Sequence, residues 1–106
     1  DVNLTYDGEP IHNDGGRLYF SRSIMNDTAE TQIINKWAYI TFPNGFIYNR
    51  EKVKTMTLAS EEEAYTANAY FDIPAHWPSG EYTYQVNTMT VPNVEQSSDK
   101  FIFTKD

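Results

Sequence analysis

The chain has 106 residues, the size of one domain, and carries 15 Asp and Glu against 8 Lys and Arg, a net charge of −7. An acidic surface repels nucleic acid and anionic membranes, so neither is expected as a partner. The absence of cysteine excludes disulfides, thiolate zinc sites and a cysteine nucleophile, and no run approaches the ~18 apolar residues of a membrane span.

Short runs rich in Val, Ile, Thr, Tyr and Phe alternate with turn residues at intervals of about ten, which indicates an all-β chain. Seven strands are predicted, over residues 2–6, 17–25, 32–42, 52–59, 65–73, 81–90 and 99–105. Residues 46–50 are a candidate for a short extra edge strand. Seven short strands in ~100 residues fit an antiparallel Greek-key β-sandwich. The sequence therefore predicts one all-β sandwich domain over residues 1–106.

Alternation along each strand assigns side chains to the core. The third strand is apolar on both faces, which is typical of a central strand. The fifth strand is predicted to turn four side chains inward: Ala67, Ala69, Phe71 and Ile73. Five side chains from five strands are predicted to meet in one cluster: Phe20, Ile40, Phe71, Tyr84 and Phe103.

A set of turns, core aromatics and strand entries resembles the immunoglobulin-like and fibronectin type III-like accessory domains of secreted bacterial proteins. These segments span most of the chain: Gly15-Gly16, Asn26-Asp27-Thr28, Trp37, Phe42-Pro43-Asn44-Gly45, Leu58, Ile73-Pro74, Gly80-Glu81-Tyr82-Thr83-Tyr84 and Asp99-Lys100-Phe101-Ile102-Phe103. The resemblance implies an immunoglobulin-like or fibronectin type III-like fold and a non-catalytic module of an exported protein. The chain departs from the pattern after Leu58, where Ser60-Glu61-Glu62-Glu63 replaces the usual Pro-Gly turn.

Few residues offer chemistry. The two histidines, His12 and His76, are expected in loops at the same end of the sandwich, near Asp14 and Asp72. Two imidazoles and a carboxylate could hold a zinc ion, but metal sites usually show tighter spacing than this. Ser79, His76 and Asp72 form a catalytic triad only on paper, since no nucleophile elbow accompanies them. The run from Glu61 to Glu63 lacks the alternating pattern of a calcium loop. We therefore expect no catalytic residue, no cofactor and no metal ion.

The aromatic residues raise carbohydrate binding as an alternative, because sugar rings stack on exposed aromatic faces. Trp37 is predicted to be the core tryptophan of the third strand, as in immunoglobulin-type sandwiches. Trp77, in a loop between His76 and Pro78, is the better candidate for exposure. It is predicted either to face a partner or to fold inward and cap the sandwich, and its burial separates the two.

The loops holding His12, residues 44–46 and residues 76–78 are expected to converge at one pole, beside the chain's exit at Asp106. The other pole is expected to gather acidic residues: Asp27, Glu30, Glu61, Glu62, Glu63 and Glu95. Any partner is expected at the first pole, where four residues form the candidate interface: Phe46, Tyr48, His76 and Trp77. Either Tyr82 or Tyr84 is predicted to form a tyrosine corner.

The sequence thus predicts a non-catalytic accessory, spacer or interaction module of a larger secreted or cell-surface protein. Asp at position 1, in place of Met, is typical of a processed or excised segment. Its partners would be neighbouring domains of the same protein or another extracellular protein. The alternative is a carbohydrate-binding or adhesive module that uses the loop aromatics near Trp77.

Overall fold

The computed structural model describes residues 1–6, 8–91 and 94–106, with the side chain of Glu51 outside the description. Seven strands form the fold: β1 (Val2–Tyr6), β2 (Gly16–Met25), β3 (Gln32–Thr41), β4 (Ile47–Leu58), β5 (Glu63–Ile73), β6 (Gly80–Val91) and β7 (Gln96–Lys105). The predicted all-β class and the seven predicted strands are confirmed. The candidate extra edge at residues 46–50 is the first part of β4, which runs without a break to Leu58.

The strands pair into two antiparallel sheets, a three-stranded sheet in the order β1-β2-β5 and a four-stranded sheet in the order β4-β3-β6-β7. Because β4 and β5 follow each other in the chain but lie in different sheets, the chain crosses between sheets there, as in a Greek key. The central place predicted for β3 is confirmed, since β4 and β6 flank it.

The core lies between the two sheets and follows the alternation of each strand. Four of the five residues predicted to cluster are buried, namely Phe20, Ile40, Tyr84 and Phe103. Phe71 is half-buried and packs against this core. The rings of Phe20 and Tyr84, one from each sheet, have centroids 4.8 Å apart. Ring contacts of this kind join the sheets directly, and the predicted core is confirmed.

One inward assignment is wrong. Ala67 is exposed, although Ala69 and Phe71 are half-buried and Ile73 is buried as expected. Between two pairings, Phe20 with Ala69 and Arg22 with Thr66, β5 uses one more residue than β2. This bulge reverses which face of β5 points inward, because side chains alternate along a strand.

The loops meet at the two ends of a molecule with principal extents of 46 × 25 × 16 Å. At the end called here the aromatic pole, the loop after Ile11 packs on the loop after Ile73. Gly15 has φ +90°, and a Cβ there would lie 2.6 Å from the Ile73 carbonyl oxygen, so this close approach requires glycine. The amide of Asp106 donates to the carbonyl of Ile11 at 2.8 Å, which places the end of the chain at this pole.

The opposite end, called here the acidic pole, holds Asp1 and the loops at residues 26–31 and 59–62. The amino group of Asp1 donates to the Met25 carbonyl at 2.7 Å. The turn that replaces Pro-Gly places Glu61 at φ +62°, a left-handed conformation that glycine or asparagine normally takes. Its amide donates to the Asn26 carbonyl at 2.8 Å, so a tertiary hydrogen bond holds the unusual backbone.

Candidate functional site

Trp77 fills the end of the core at the aromatic pole. Its indole is 8% exposed and contacts four other rings, those of Phe42, Tyr48, Phe71 and Tyr82, at centroid distances of 4.5 to 5.7 Å. The turn that carries it closes through a hydrogen bond from the Trp77 amide to the Pro74 carbonyl at 3.2 Å. Trp77 is therefore the cap of the sandwich rather than an exposed loop aromatic.

An apolar rim lies beside this cap. It consists of Phe46, Ile47 and Tyr48, which are 58%, 54% and 40% exposed. Tyr48 is on the side of Trp77, whereas Ile47 alternates with it and points to the outer face of the four-stranded sheet. The turn before it is rigid, because Asn44 Oδ1 accepts from the Phe46 amide at 3.0 Å and Gly45 takes φ +89°. The ring of Phe46 also packs edge-on against Phe42 at 5.4 Å. The rim is thus an exposed apolar surface on an ordered base.

The four predicted interface residues lie together at this pole. Tyr48 contacts Trp77 at 5.6 Å, and His76, the chain neighbour of Trp77, is exposed. Phe46, Tyr48 and His76 are exposed, whereas Trp77 is buried and contacts Tyr48 from the core side. That a partner binds here stays a prediction, in which the role of Trp77 is to hold the surface rather than to touch the partner.

Neither the catalytic triad nor the metal site that was weighed for this pole is assembled by the described residues. Asp72 accepts from Arg17 Nε at 2.8 Å, in an exposed ion pair on the three-stranded sheet. The hydrogen bonds of the described residues include none that joins His76 to Ser79 or Asp72. Over the described ranges, no three His, Cys, Asp or Glu side chains lie close enough to hold a metal ion.

Trp37 is not the core tryptophan. Its neighbour Ala38 is 1% exposed and faces inward, so Trp37 lies on the outer face of the four-stranded sheet, where it is half-buried. The prediction that Trp37 fills the core is therefore wrong. The alternation of side chains along β3 already indicates this outward position. Trp37 alternates with the inward residues Ile34, Ala38 and Ile40 and shares its face with Tyr39.

A groove runs beside Trp37 across three strands. Its open volume is about 580 Å³, and it is lined by Asn35, Asn49, Lys52, Val53 and Met89 in addition to Trp37. On the other side of Trp37, a smaller depression of about 120 Å³ includes Asn87, Gln96 and Ser98. The Trp37 groove, meaning these two depressions together, was not singled out by the sequence because its residues come from four strands.

Two polar residues serve the fold. The Tyr82 hydroxyl donates to the Pro78 carbonyl at 2.5 Å, which makes Tyr82 rather than Tyr84 the tyrosine corner. Burial of this ring raises the pKa of Tyr82 above its ordinary 10.0. At the acidic pole, the side-chain Nδ2 of the buried Asn26 donates to the carbonyls of Leu58 and Ala59 at 3.0 and 3.1 Å.

The sequence matches the family described as RbmA-like, FnIII domain, over residues 1–105. The chain belongs to the RbmA-like FnIII domain family. No curated protein matches the sequence. The described part of this FnIII domain contains no helix long and apolar enough to cross a membrane.

Solved structures show the same fold inside larger proteins. A β-glucuronidase from Bacteroides uniformis matches with 13% identity and a TM-score of 0.65, over 96% of this chain and 13% of the enzyme. A family 123 glycoside hydrolase from Clostridium perfringens matches with 8% identity and a TM-score of 0.65, over 100% of this chain and 27% of that protein. A CARDB domain from Pyrococcus furiosus matches with 15% identity and a TM-score of 0.52, over 99% of this chain and 92% of that chain.

At such low identities, these structural matches show a shared fold alone. The chain spans only about an eighth to a quarter of the length of the two glycoside hydrolases, which are similar to it in one domain. The same fold thus forms one part of each of these two larger proteins.

Proposed function

We propose that this chain is a single non-catalytic accessory module of a larger secreted or cell-surface protein, and that it meets a neighbouring domain or an extracellular protein through the aromatic pole. The family match and the place of the fold within larger proteins support the accessory role. The absence of cysteine is compatible with export, since the fold needs no disulfide.

The apolar rim is the observation that carries this proposal. Phe46, Ile47 and Tyr48 are consecutive and all exposed, and they follow an ordered turn at which Tyr48 contacts the buried Trp77. Burying exposed apolar side chains contributes roughly 25 cal/mol per Å² removed from water. Aromatic residues at the centre of such a surface are the usual anchors of protein contacts. Asp106 lies at the same pole as the rim. In a longer chain, a domain that followed Asp106 would therefore lie beside the rim.

Two substitutions on the rim test the proposal. In the full-length protein, Phe46→Ser with Ile47→Ser is expected to lower the melting temperature of the neighbouring domain or to expose the junction to protease. In the isolated chain, the same change is expected to leave the melting temperature within a few degrees, because both side chains are already exposed.

Ile102→Ser is the matched control, because Ile102 is 54% exposed on β7, outside the rim. It is expected to change neither the full-length protein nor the isolated chain. An unaltered full-length protein after the double rim substitution would contradict the proposed contact.

The alternative module, a carbohydrate binder built around Trp77, has less support. A ring that stacks on a sugar needs a free face, and the Trp77 indole is 8% exposed. Phe46 and Tyr48 keep exposed faces, but both lie against the aromatic cluster that Trp77 organises. Carbohydrate binding at this pole is therefore the weaker proposal.

A further inference from the structure

The two long sides of the sandwich differ in how the sheets meet. On one side β1 packs along β7. There the amide of Leu4 donates to Asp99 Oδ2 at 2.7 Å, and the rings of Tyr6 and Phe101 stack with centroids 4.8 Å apart. The strands on the other side are β4 and β5, and their described residues do not pack along each other in this way. The gap between β4 and β5 is called here the open seam.

We propose that the open seam binds an extended segment of a partner protein. The segment adds as a strand to the free edge of β5 and directs a carboxylate side chain toward Arg50. Three features of the seam support this proposal: an edge strand without protecting charges, a cleft that reaches the core, and a buried guanidinium nitrogen that lacks an acceptor.

The free edge belongs to β5. This strand pairs with β2, and within the described ranges no strand pairs with its other side. Natural edge strands usually carry charged residues, proline or a bulge that prevent pairing with another chain. Between Glu63 and Asp72 the sequence has no charged residue and no proline. The bulge lies at residues 67–68, so residues 69–73 keep a regular edge to which a strand can add.

The cleft gives the side chains of an added strand a place to enter. It has a volume of about 330 Å³, and its lining includes Ala69 of β5 and the core rings of Phe20 and Tyr84. Side chains of a strand beside β5 would alternate between this cleft and the outer face of the sheet. An apolar side chain in the cleft would cover the two rings. The residue next to it would lie on the outer face beside Tyr70, which is 52% exposed.

Arg50 determines the charge of the partner. It extends from β4 across the seam, where its guanidinium carbon lies 4.7 Å from the centroid of the Phe71 ring on β5. Its Nε is buried, and the described residues supply no hydrogen-bond acceptor for it. A carboxylate is the acceptor that matches a guanidinium best. Lys52 and Lys54 on the same strand add positive charge to a protein whose net charge is −7. The partner strand is therefore expected to carry an acidic and an apolar side chain two residues apart, both facing the cleft.

Titration of the ¹⁵N-labelled chain with synthetic peptides, followed by NMR, tests the proposal. The probe is an acetylated and amidated peptide of about nine alternating Thr and Val residues, with Glu in place of a central Val. It is expected to shift the amide signals of residues 66–73 and of Arg50, and to slow hydrogen exchange along β5. A peptide with Gln in place of the Glu is expected to bind about tenfold more weakly. A peptide with Pro at alternate positions is expected not to bind, because it lacks the backbone donors that a strand needs.

Variants connect the charge preference to Arg50. Arg50→Gln is expected to bind the Glu and Gln peptides equally well, and Arg50→Glu is expected to prefer a peptide with Lys at that position. Lys100→Glu is the matched control, because it changes the net charge as Arg50→Glu does but at an exposed site on β7. It is expected to keep the preference for the Glu peptide. The melting temperature of each variant shows that it is folded, and the peptide comparison on the unchanged protein decides the proposal if one is not.

The proposal is overturned if no peptide shifts the β5 amides, if the Pro peptide binds as well as the probe, or if the unchanged protein or folded Arg50→Gln departs from the expected preference. Self-association that protects the β5 amides without any peptide would assign this edge to a second copy and would also overturn it. The double rim substitution is expected to leave peptide binding unaltered, so this proposal and the proposed contact at the aromatic pole fail independently.

Discussion

Trp77 holds its position because its ring contacts four aromatic neighbours. The indole stacks at 18° on Tyr82 and lies 4.5 Å from Phe42, so it extends the core past the last residues of the strands. Trp37 instead lies on a pleated surface with one face toward the groove. Tryptophan thus fills the core at one position and forms part of the surface at the other. The two residues are therefore expected to contribute differently to the free energy of unfolding.

Removing each indole is expected to separate these uses. Trp77→Ala should lower the free energy of unfolding by about 3–5 kcal/mol, through lost transfer energy and the cavity left behind. Trp37→Ala should lower it by less than about 1.5 kcal/mol, because the half-buried ring lies on the outer face of the sheet and its removal leaves no enclosed cavity. Urea unfolding followed by circular dichroism measures both. Equal costs would contradict this difference between a buried and a surface indole.

The buried Tyr82 hydroxyl predicts that the stability of the fold decreases at alkaline pH. Because burial raises its pKa in the folded state, the unfolded chain loses the phenol proton first as the pH rises past 10.0. The stability that this group contributes is complete below pH 10 and is lost as the pH rises through the folded-state pKa. Tyr82→Phe removes the hydrogen bond to Pro78 and should cost about 1 kcal/mol at pH 7.

Above pH 10 that cost should shrink, since phenylalanine has no proton to lose. Urea unfolding at pH 7 and pH 10.5 measures the difference, and Tyr65→Phe, at an exposed site, is the control with no expected effect at either pH. A gap between Tyr82→Phe and the unchanged protein that stays constant across this range would contradict the proposed coupling.

At the scale of elements, Asn26 connects two loops that the chain order separates. Its amide nitrogen donates to the carbonyls of Glu30, Leu58 and Ala59, and its Oδ1 accepts from the Thr28 amide at 3.0 Å. The loop between β2 and β3 is thereby fixed to the turn between β4 and β5. The acidic pole is thus ordered by hydrogen bonds, whereas the aromatic pole is ordered by ring packing.

Asn26→Ala is expected to lower the free energy of unfolding by about 2–3 kcal/mol, because it removes a buried donor to three carbonyl groups and the acceptor of the Thr28 amide. Hydrogen exchange should also speed up at the amides of residues 59–62. Asn44→Ala is the matched control at the other pole, since Asn44 is exposed and caps its own turn. It should cost less than about 1 kcal/mol. Equal losses from the two substitutions would show that Asn26 does not connect the loops.

The sequence predicts the elements well and their details less well, for identifiable reasons. Alternation along β2, β3, β6 and β7 was sufficient to place Phe20, Ile40, Tyr84 and Phe103 in the core. The face of Ala67 was not predictable, because the bulge in β5 depends on pairing with β2 and leaves no local signal. Trp37 was misplaced by an expectation from the fold type, against the alternation of its own strand. Trp77 depends on four rings distant in sequence, which no local pattern shows.

At the scale of the whole molecule, strand parity was sufficient to predict which loops meet. An odd number of antiparallel strands puts the beginning of the first strand and the end of the last at opposite ends. Asp1 bonds to Met25 at the acidic pole, and Asp106 bonds to Ile11 at the aromatic pole. Copies or domains joined through these residues would follow one another along the 46 Å axis, which suits a spacer.

Small-angle X-ray scattering of two copies joined in tandem tests this geometry. With a linker of two or three residues, the maximum dimension is expected to be close to twice the 46 Å long axis of one copy. A long Gly/Ser linker is the control, because a flexible chain lets the copies approach side by side and shortens the mean dimension. A short-linker tandem little longer than one copy would mean that the copies pack laterally. The rim and the Trp37 groove would then be the first surfaces to examine, and the spacer role would have to be abandoned.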